Sequence, residues 1–508
     1  MSGVLATLGE AFVSFLAPTM LFHVVWATLL GIFVGALPGL TATMGVALLT
    51  TLTYSLDRDA AILVLICMYV GAIYGGSRSA ILLNIPGTPA SAASTLDGFP
   101  LARSGRAGLA LGVATMGSAL GTLVGIVLLI LLAPPLAEAA LRFGSFEFFW
   151  LALFGIIISG QLTQAGSPVK GYLAGVIGLS VAMIGSDGIH SHIRFNFGFS
   201  ELNGGIGLIP AMVGAFGFAE ILFTMTRPAA EVTNARPERV RLSELWRRAW
   251  RYKGTIGRSG VIGTAIGIIP GVGEDIGAWG SYAAAKRISA ERADFGKGSV
   301  EGLTASETGN SAVVPGSLIP TLTLGIPGSA AAAVLIAALY IHGVRPGPMI
   351  MFDQPDFIYR VAVMLVFATV AILIFGLALT PVFIQVLRVP RGWLMPVVFV
   401  MCVIGPFALT QRLFDVWVML AFGVIGYVLR RLDYPMAPLV LGIILGDLLD
   451  KSLRRGLTLS DGSLEPFLTR PISAAFALMI LATIVFSIPA VRRLVFRTGR
   501  QARGTSGD

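Results

Sequence analysis

Residues 263–280 read GTAIGIIPGVGEDIGAWG, and residues 31–48 read GIFVGALPGLTATMGVAL. Laid over each other without a gap, Gly31 matches Gly263, Gly35 matches Gly267, Pro38 matches Pro270, Gly39 matches Gly271 and Gly45 matches Gly277. A second pair of stretches follows in the same order: 74–88, YGGSRSAILLNIPGT, and 315–329, PGSLIPTLTLGIPGS. There Gly75 matches Gly316, Leu83 matches Leu324, and Ile85-Pro86-Gly87 matches Ile326-Pro327-Gly328. One Gly-x3-Gly pair usually marks only close helix packing. Five identities in register, followed by a second motif in the same order, indicate an internal duplication. Each half holds two Pro-Gly interruptions, 48 residues apart from Pro38 to Pro86 and 57 apart from Pro270 to Pro327. The extra length falls in the polar stretch Glu291 to Ser299.

These interruptions lie in an apolar chain. Of 508 residues, 55% are hydrophobic and only 12% charged, with a mean hydropathy of +0.83. A soluble domain carries about 25% charged residues because water must solvate its surface. A chain this poor in charge meets lipid over much of its surface, so the lipid bilayer is its first partner. The 62 Gly and 27 Pro then point to closely packed helices and deliberate helix breaks. Two cysteines, Cys67 and Cys402, both in apolar runs, support no disulfide framework or metal cluster. The net charge of +9 is spread between apolar runs, which is the pattern of membrane topology and not of a nucleic-acid surface. The first Lys or Arg is Arg58, so no cleavable signal is expected and the run Ala11 to Val34 reads as a retained helix.

Apolar stretches recur from 11–35 to 472–496, and about eleven to thirteen spans are expected. The fold class is an all-α polytopic membrane protein with re-entrant or broken helices in two inverted repeats. The expected organisation is a first transmembrane repeat over 1–226, a basic linker over 227–257 and a second repeat over 258–450. A loop and final transmembrane helix over 451–498 follow, then a disordered tail over 499–508. Between Arg227 and Arg258 nine basic residues face only Glu231, Glu238 and Glu244. By the positive-inside rule this segment, a solvated amphipathic helix, is expected in the cytoplasm, as is the C-terminus with Arg492, Arg493, Arg497, Arg500 and Arg503.

Segments 258–271 and 274–288 are each too short to cross, being about 14 residues or roughly 20 Å as helix. Arg258 at one outer end, and Lys286 with Arg287 at the other, put both ends on the same side. A re-entrant hairpin with 270–275 at its tip satisfies this. The matching tip, 38–43, leads to Asp57-Arg58-Asp59, which has no positive excess and suits an approach from the opposite face. Duplicated units approaching from opposite faces make an inverted repeat with a site near the midplane.

A broken helix frees backbone. N–H groups at a half-helix N-terminus suit a carboxylate, and carbonyls at a half-helix C-terminus suit a cation. Small polar side chains line these breaks, and Gly there allows close approach. The expected substrate-binding residues are Thr41, Thr43, Ser77, Arg78, Asn84, Gly87, Thr88, Ser317, Gly328 and Ser329. For any one Ser or Thr, simple helix packing is the competing account. Arg78 would clamp a carboxylate, or else snorkel or pair with an acid. Glu274, Asp275, Glu307 and Asn310 are the candidates for coordinating Na+ or carrying H+, against structural pairing with Lys or Arg. His23, His190, His192 and His342 make no metal set.

With these residues in view, the chain resembles the large permease subunit of tripartite tricarboxylate transporters, whose signature is Gly-x3-Gly-x2-Pro-Gly-x-Gly. Gly263, Gly267, Pro270, Gly271 and Gly273 satisfy it; the first-half copy departs at Thr41. The runs 74–87 and 306–312 (SETGNSA) also look like this family, and the similarity extends to about residue 450. The resemblance implies a multi-pass importer of the bacterial inner membrane. Its implied partners are a small membrane permease subunit, a periplasmic solute-binding protein and an organic carboxylate. It also implies coupling to Na+ or H+ and no other cofactor, in keeping with a chain that lacks Gly-x4-Gly-Lys-Ser/Thr. A passive channel is the alternative. A membrane-embedded enzyme is a further one, but no nucleophile-base pair or His-Glu-x-x-His is present.

Overall fold

The computed structural model describes residues 2–37, 40–84, 86–162, 168–187, 189, 192–226, 240–379 and 391–487. Pro38, Gly39, Ile85, His190, the linker through 239 and the tail, with its five arginines, lie outside these described residues.

Helices follow one another along the whole chain. They are α1 (Ser2–Phe15), α2 (Pro18–Ala36), α3 (Ala42–Leu52), α4 (Arg58–Leu83), α5 (Ala92–Leu101), α6 (Ala107–Ala140), α7 (Ser145–Leu162), α8 (Pro168–Ala182), α9 (Leu208–Met212) and α10 (Ala219–Met225). Next come α11 (Leu242–Arg251), α12 (Lys253–Ile268), α13 (Gly273–Ile288), α14 (Val300–Leu324), α15 (Ala330–Ile341), α16 (Ile350–Asp353) and α17 (Phe357–Ala378). The last are α18 (Arg391–Thr410), α19 (Leu413–Arg431), α20 (Met436–Leu459), α21 (Glu465–Thr469) and α22 (Pro471–Ser487). Extended pairing among the described residues is confined to Gly185–Ser186 against Ile193–Arg194. The chain is thus an all-α polytopic membrane protein. Against the expected eleven to thirteen spans, six helices among the described residues are long and apolar enough to cross a membrane by length and composition. Six further apolar helices are 10–17 residues long.

The helices sort into two compact units, Met1–Leu141 with Ile206–Leu432, and Arg142–Gly205 with Asp433–Asp508. In the smaller unit α20 packs on both α7 and α8, and α22 packs on α7. There the Glu147 carboxylate accepts from Ser473 Oγ and from the Gly144 N–H, and pairs with Arg470 at 3.0 Å.

The larger unit holds both copies of the duplicated motif. Its centre is two helices buried along their length, α4 and α14. A helix with no solvated face must be covered on every side, and the Gly residues of the motif make the covering close. A Cβ added at Gly31 would stand 2.6 Å from the Met68 carbonyl, and one at Gly35 would strike the Ala72 carbonyl. In the second half a Cβ at Gly263 would strike the Gly309 carbonyl, and one at Gly267 would stand 2.7 Å from the Val313 carbonyl. The same pairs meet, each shifted by the offset of the sequence match. The packing of one half against the other is also reciprocal. α3 lies on α15 and α13 on α5; α6 lies on α14 and α17 on α4; α5 lies on α14 and α15 on α4.

Candidate functional site

Both expected pairs of interruptions are breaks in helices. In the second half α12 stops at Ile268 and α13 starts at Gly273, the two helices packing on each other. Residues 258–288 are therefore no single spanning helix. Gly271 and Gly273 turn the chain with φ of 70° and 79°, values that a side chain resists. In the first half Thr41 stands where Gly273 does, but with φ −107° and ψ 157°. It caps α3 through its hydroxyl, which accepts from Met44 N–H at 3.2 Å. The departure from the motif at Thr41 thus marks a different entry into the helix.

The downstream breaks are alike. α4 ends on Asn84 and α14 on Gly325, matched positions, both left-handed with φ 55° and 69°. Gly87 and Gly328 then fold back onto the main chain of their own half. A Cβ at Gly87 would strike the Gly35 carbonyl, and one at Gly328 the Gly267 carbonyl and, at 2.6 Å, Ser317 Cα. The two breaks of the second half are joined directly, Gly271 N–H donating to the Pro327 carbonyl at 3.1 Å.

A polar knot fills the second-half breaks. The Tyr69 hydroxyl, from the middle of α4, donates to the Glu274 carboxylate and stands 2.6 Å from Ser329 Oγ and 3.2 Å from Ser317 Oγ. Ser329 also caps α15, accepting from Ala332 N–H at 3.2 Å. Glu274 and Asp275 are half-buried in the first turn of α13, with Lys286 and Arg287 in its last. Both ends therefore complement the helix dipole.

The first-half breaks are built differently. Thr88 and Ser91 exchange hydrogen bonds, Thr88 N–H donating to Ser91 Oγ at 3.2 Å and Ser91 Oγ–H to the Thr88 carbonyl at 2.8 Å. Thr43 is buried in the first turn of α3. By the offset that pairs Thr88 with Ser329, Tyr69 pairs with Asn310 and Ser317 with Gly76; by the offset that pairs Gly31 with Gly263, Glu274 pairs with Ala42. Asn310 is fully buried, and among the described residues neither Oδ1 nor Nδ2 of its amide has a hydrogen-bond partner. It lies seven residues before Ser317, on the same side of α14.

Other expected site residues are engaged elsewhere. The Glu307 carboxylate accepts from three buried hydroxyls, Ser77 at 2.7 Å, Ser118 at 3.0 Å and Ser94, which ties α14 to α4, α6 and α5. Ser77 is thereby joined to Glu307 and not to a break. The Arg78 guanidinium is fully buried and donates to Tyr74 Oη and, at 2.6 Å, to the Gly376 carbonyl, against α17. The Asn84 cap is exposed. Tyr69 was missed by sequence reading, although a hydroxyl in the apolar run 60–83 was its signal. Asp97 was missed as well. Its Oδ1 accepts N–H bonds from Gly296, Gly298 and Ser299 at 2.7, 2.9 and 2.8 Å, so α5 holds the loop before α14.

The chain is matched over residues 21–441 by the model of the tripartite tricarboxylate transporter TctA family. A protein of Agrobacterium vitis, described as an uncharacterized 52.8 kDa protein in the TAR-I ttuC' 3' region, is 34% identical over 499 residues. That alignment covers 97% of this chain and 98% of the relative. A second from the same organism, described as an uncharacterized protein in the TAR-II ttuC' 3' region, is 33% identical over 231 residues. It covers 45% of this chain and 96% of its own length. No solved structure matches.

Proposed function

Because this chain belongs to the tripartite tricarboxylate transporter TctA family, we propose that it is the ion-coupled large permease subunit that imports small organic carboxylates, such as tricarboxylates, across the bacterial inner membrane. In this reading it works with a small membrane subunit and a periplasmic solute-binding protein. The basic segment around Arg241 and Arg248, and the C-terminus, face the cytoplasm.

The single observation that carries the reading is the reciprocal packing of the two halves around their breaks, α3 on α15 and α13 on α5, α5 on α14 and α15 on α4. Reciprocal contacts between matched elements are what a two-fold axis relating the halves produces, and an axis in the membrane plane makes them inverted repeats. Such breaks near the midplane bring free main-chain groups to one place, lined by protein as irregular backbone in a membrane must be.

The two sets of breaks then divide the work. In the second half, two carboxylates already occupy the α13 N-terminus, so this end repels an anion and suits the coupling ion, Na+ or H+. Glu274 and Asp275 are its ligands, with Tyr69 and Ser329 holding Glu274 in place. In the first half no acid lies in the first turn of α3 or α5, and the Asn310 amide is unspent. The substrate carboxylate belongs there, on main-chain N–H groups with Thr41, Thr43 and Thr88 and with the Asn310 amide as donor. Glu307, filled by three serine hydroxyls, anchors α14 beside that site.

Reconstituted vesicles test this. Accumulation of a radiolabelled tricarboxylate driven by a sodium or proton gradient is the expected result. Equilibration without accumulation under either gradient refutes coupling and leaves a channel, and chemical change of the solute makes the protein an enzyme.

A further inference from the structure

Helix α11 carries an apolar stripe that no described residue covers. Leu245 and Ala249 are buried, Leu245 filling the space beside Gly112 of α6. Leu242, Trp246 and Trp250 continue the apolar side at one-turn intervals and are 53%, 53% and 70% exposed. Two of the helix's cations are spoken for, Arg248 by Glu244 at 2.8 Å and Arg251 by Glu291. Arg241 and Arg247 are exposed, and the Lys253 ammonium stands 4.5 Å over the Trp250 ring.

We propose that α11 is an anionic-lipid-binding helix, its Leu242-Trp246-Trp250 stripe bedded in the bilayer's headgroup region and its neighbouring cations holding lipid phosphates. A helix with Trp and Leu along one side and Arg along the other settles in the plane of a membrane interface. Trp is favoured there because its ring is apolar and its N–H is wet. Position favours the bilayer over a protein partner. α12 starts at Lys253, two residues after α11 ends, so the stripe stands where the chain enters the apolar body. Charge selects the lipid: each Lys or Arg held at the surface multiplies anionic-lipid association by about fivefold.

The test uses full-length protein in vesicles of DOPC mixed with DOPG. Replacing Trp26, Trp150, Trp279, Trp393 and Trp417 by Phe leaves Trp246 and Trp250 as the reporters among seven tryptophans. Bromine is placed high on the acyl chains of either lipid. The expected result is quenching of both reporters, deeper when DOPG carries the bromine. The double variant Arg247→Glu with Lys253→Glu should cut that preference by roughly tenfold or more. Absence of quenching from either lipid refutes the proposal, and a stripe covered by another protein gives that outcome. Equal quenching from both lipids, unchanged in the double variant, refutes headgroup recognition. Native mass spectrometry of the protein with all its tryptophans provides the second reading. It should retain DOPG over DOPC, and the double variant should lose that retention; retention equal in both proteins overturns the proposal.

Discussion

Asn310→Leu should stabilise the empty protein and weaken its hold on substrate. The amide is fully buried with both polar atoms unpaired among the described residues, while its matched residue Tyr69 is bonded on two sides. Burying an unpaired amide costs about 1–3 kcal/mol by mutational measures. Leucine has nearly the same shape and removes that cost, so unfolding without substrate should move upward by a free energy of that size. If the amide donates to a carboxylate, losing that charge-assisted bond costs about 1.5–3 kcal/mol. This is an increase of about 10- to 150-fold in the KM for uptake. The assay pairs thermal unfolding of purified protein, without substrate, with concentration-dependent uptake of a radiolabelled tricarboxylate in vesicles. Opposite movement of the two quantities is the signature of a residue kept for binding. A variant that melts lower while its KM stays put refutes the reasoning, since the amide would then have a structural partner.

Gly87→Val and Gly328→Val should abolish uptake while the protein still inserts, because each new side chain meets main-chain atoms that cannot swing aside. Wild-type rates in both variants would remove the breaks from the site. Asp97→Asn weakens a carboxylate held by three N–H groups, with each charged bond worth about 1.5–3 kcal/mol. Limited proteolysis should therefore cut the 290–299 loop faster than in the parent, and an unchanged rate would mean the loop is held by other contacts. Cysteines placed at Arg241 and Arg248 should resist a membrane-impermeant thiol reagent in intact cells; ready labelling would reverse the topology.

The breaks were legible because Pro and Gly leave marks that survive in any context. Pro lacks the N–H that a helix needs, and Gly at Gly271 and Gly273 tolerates a turn that other residues resist. The duplication was legible because both helices that the motif packs against demanded the same small residues at the same spacing. What escaped was contact between halves. Tyr69 and Asp97 act on residues some 200 positions away, and nothing local to either announces a partner. Arg78 illustrates the converse. Its intramembrane charge marked it for a carboxylate clamp or for pairing, and only the fold shows that a nearby tyrosine and the carbonyl of Gly376 accept from the guanidinium. The extra length at Glu291 to Ser299 was visible as an insertion. That it reaches Asp97 required the fold.

The reciprocal packing has a consequence for how the protein is made. Synthesis delivers α2 to α6 first, but the elements that cover them, α14, α15 and α17, emerge only some two hundred residues later. Until then α4, although packed by α2, lacks the cover that α14, α15 and α17 will give it, and the Ser77, Ser94 and Ser118 hydroxyls lack the Glu307 carboxylate. The newborn first half therefore has to wait in the membrane with α4 and α6 only partly covered, tolerated there because lipid is as apolar as the missing partners. Closure must come late and join distant segments, the kind of folding step most exposed to mispairing. A ribosome that stalls between the halves would leave a protein fully inserted and only half assembled, a natural substrate for membrane quality-control proteases.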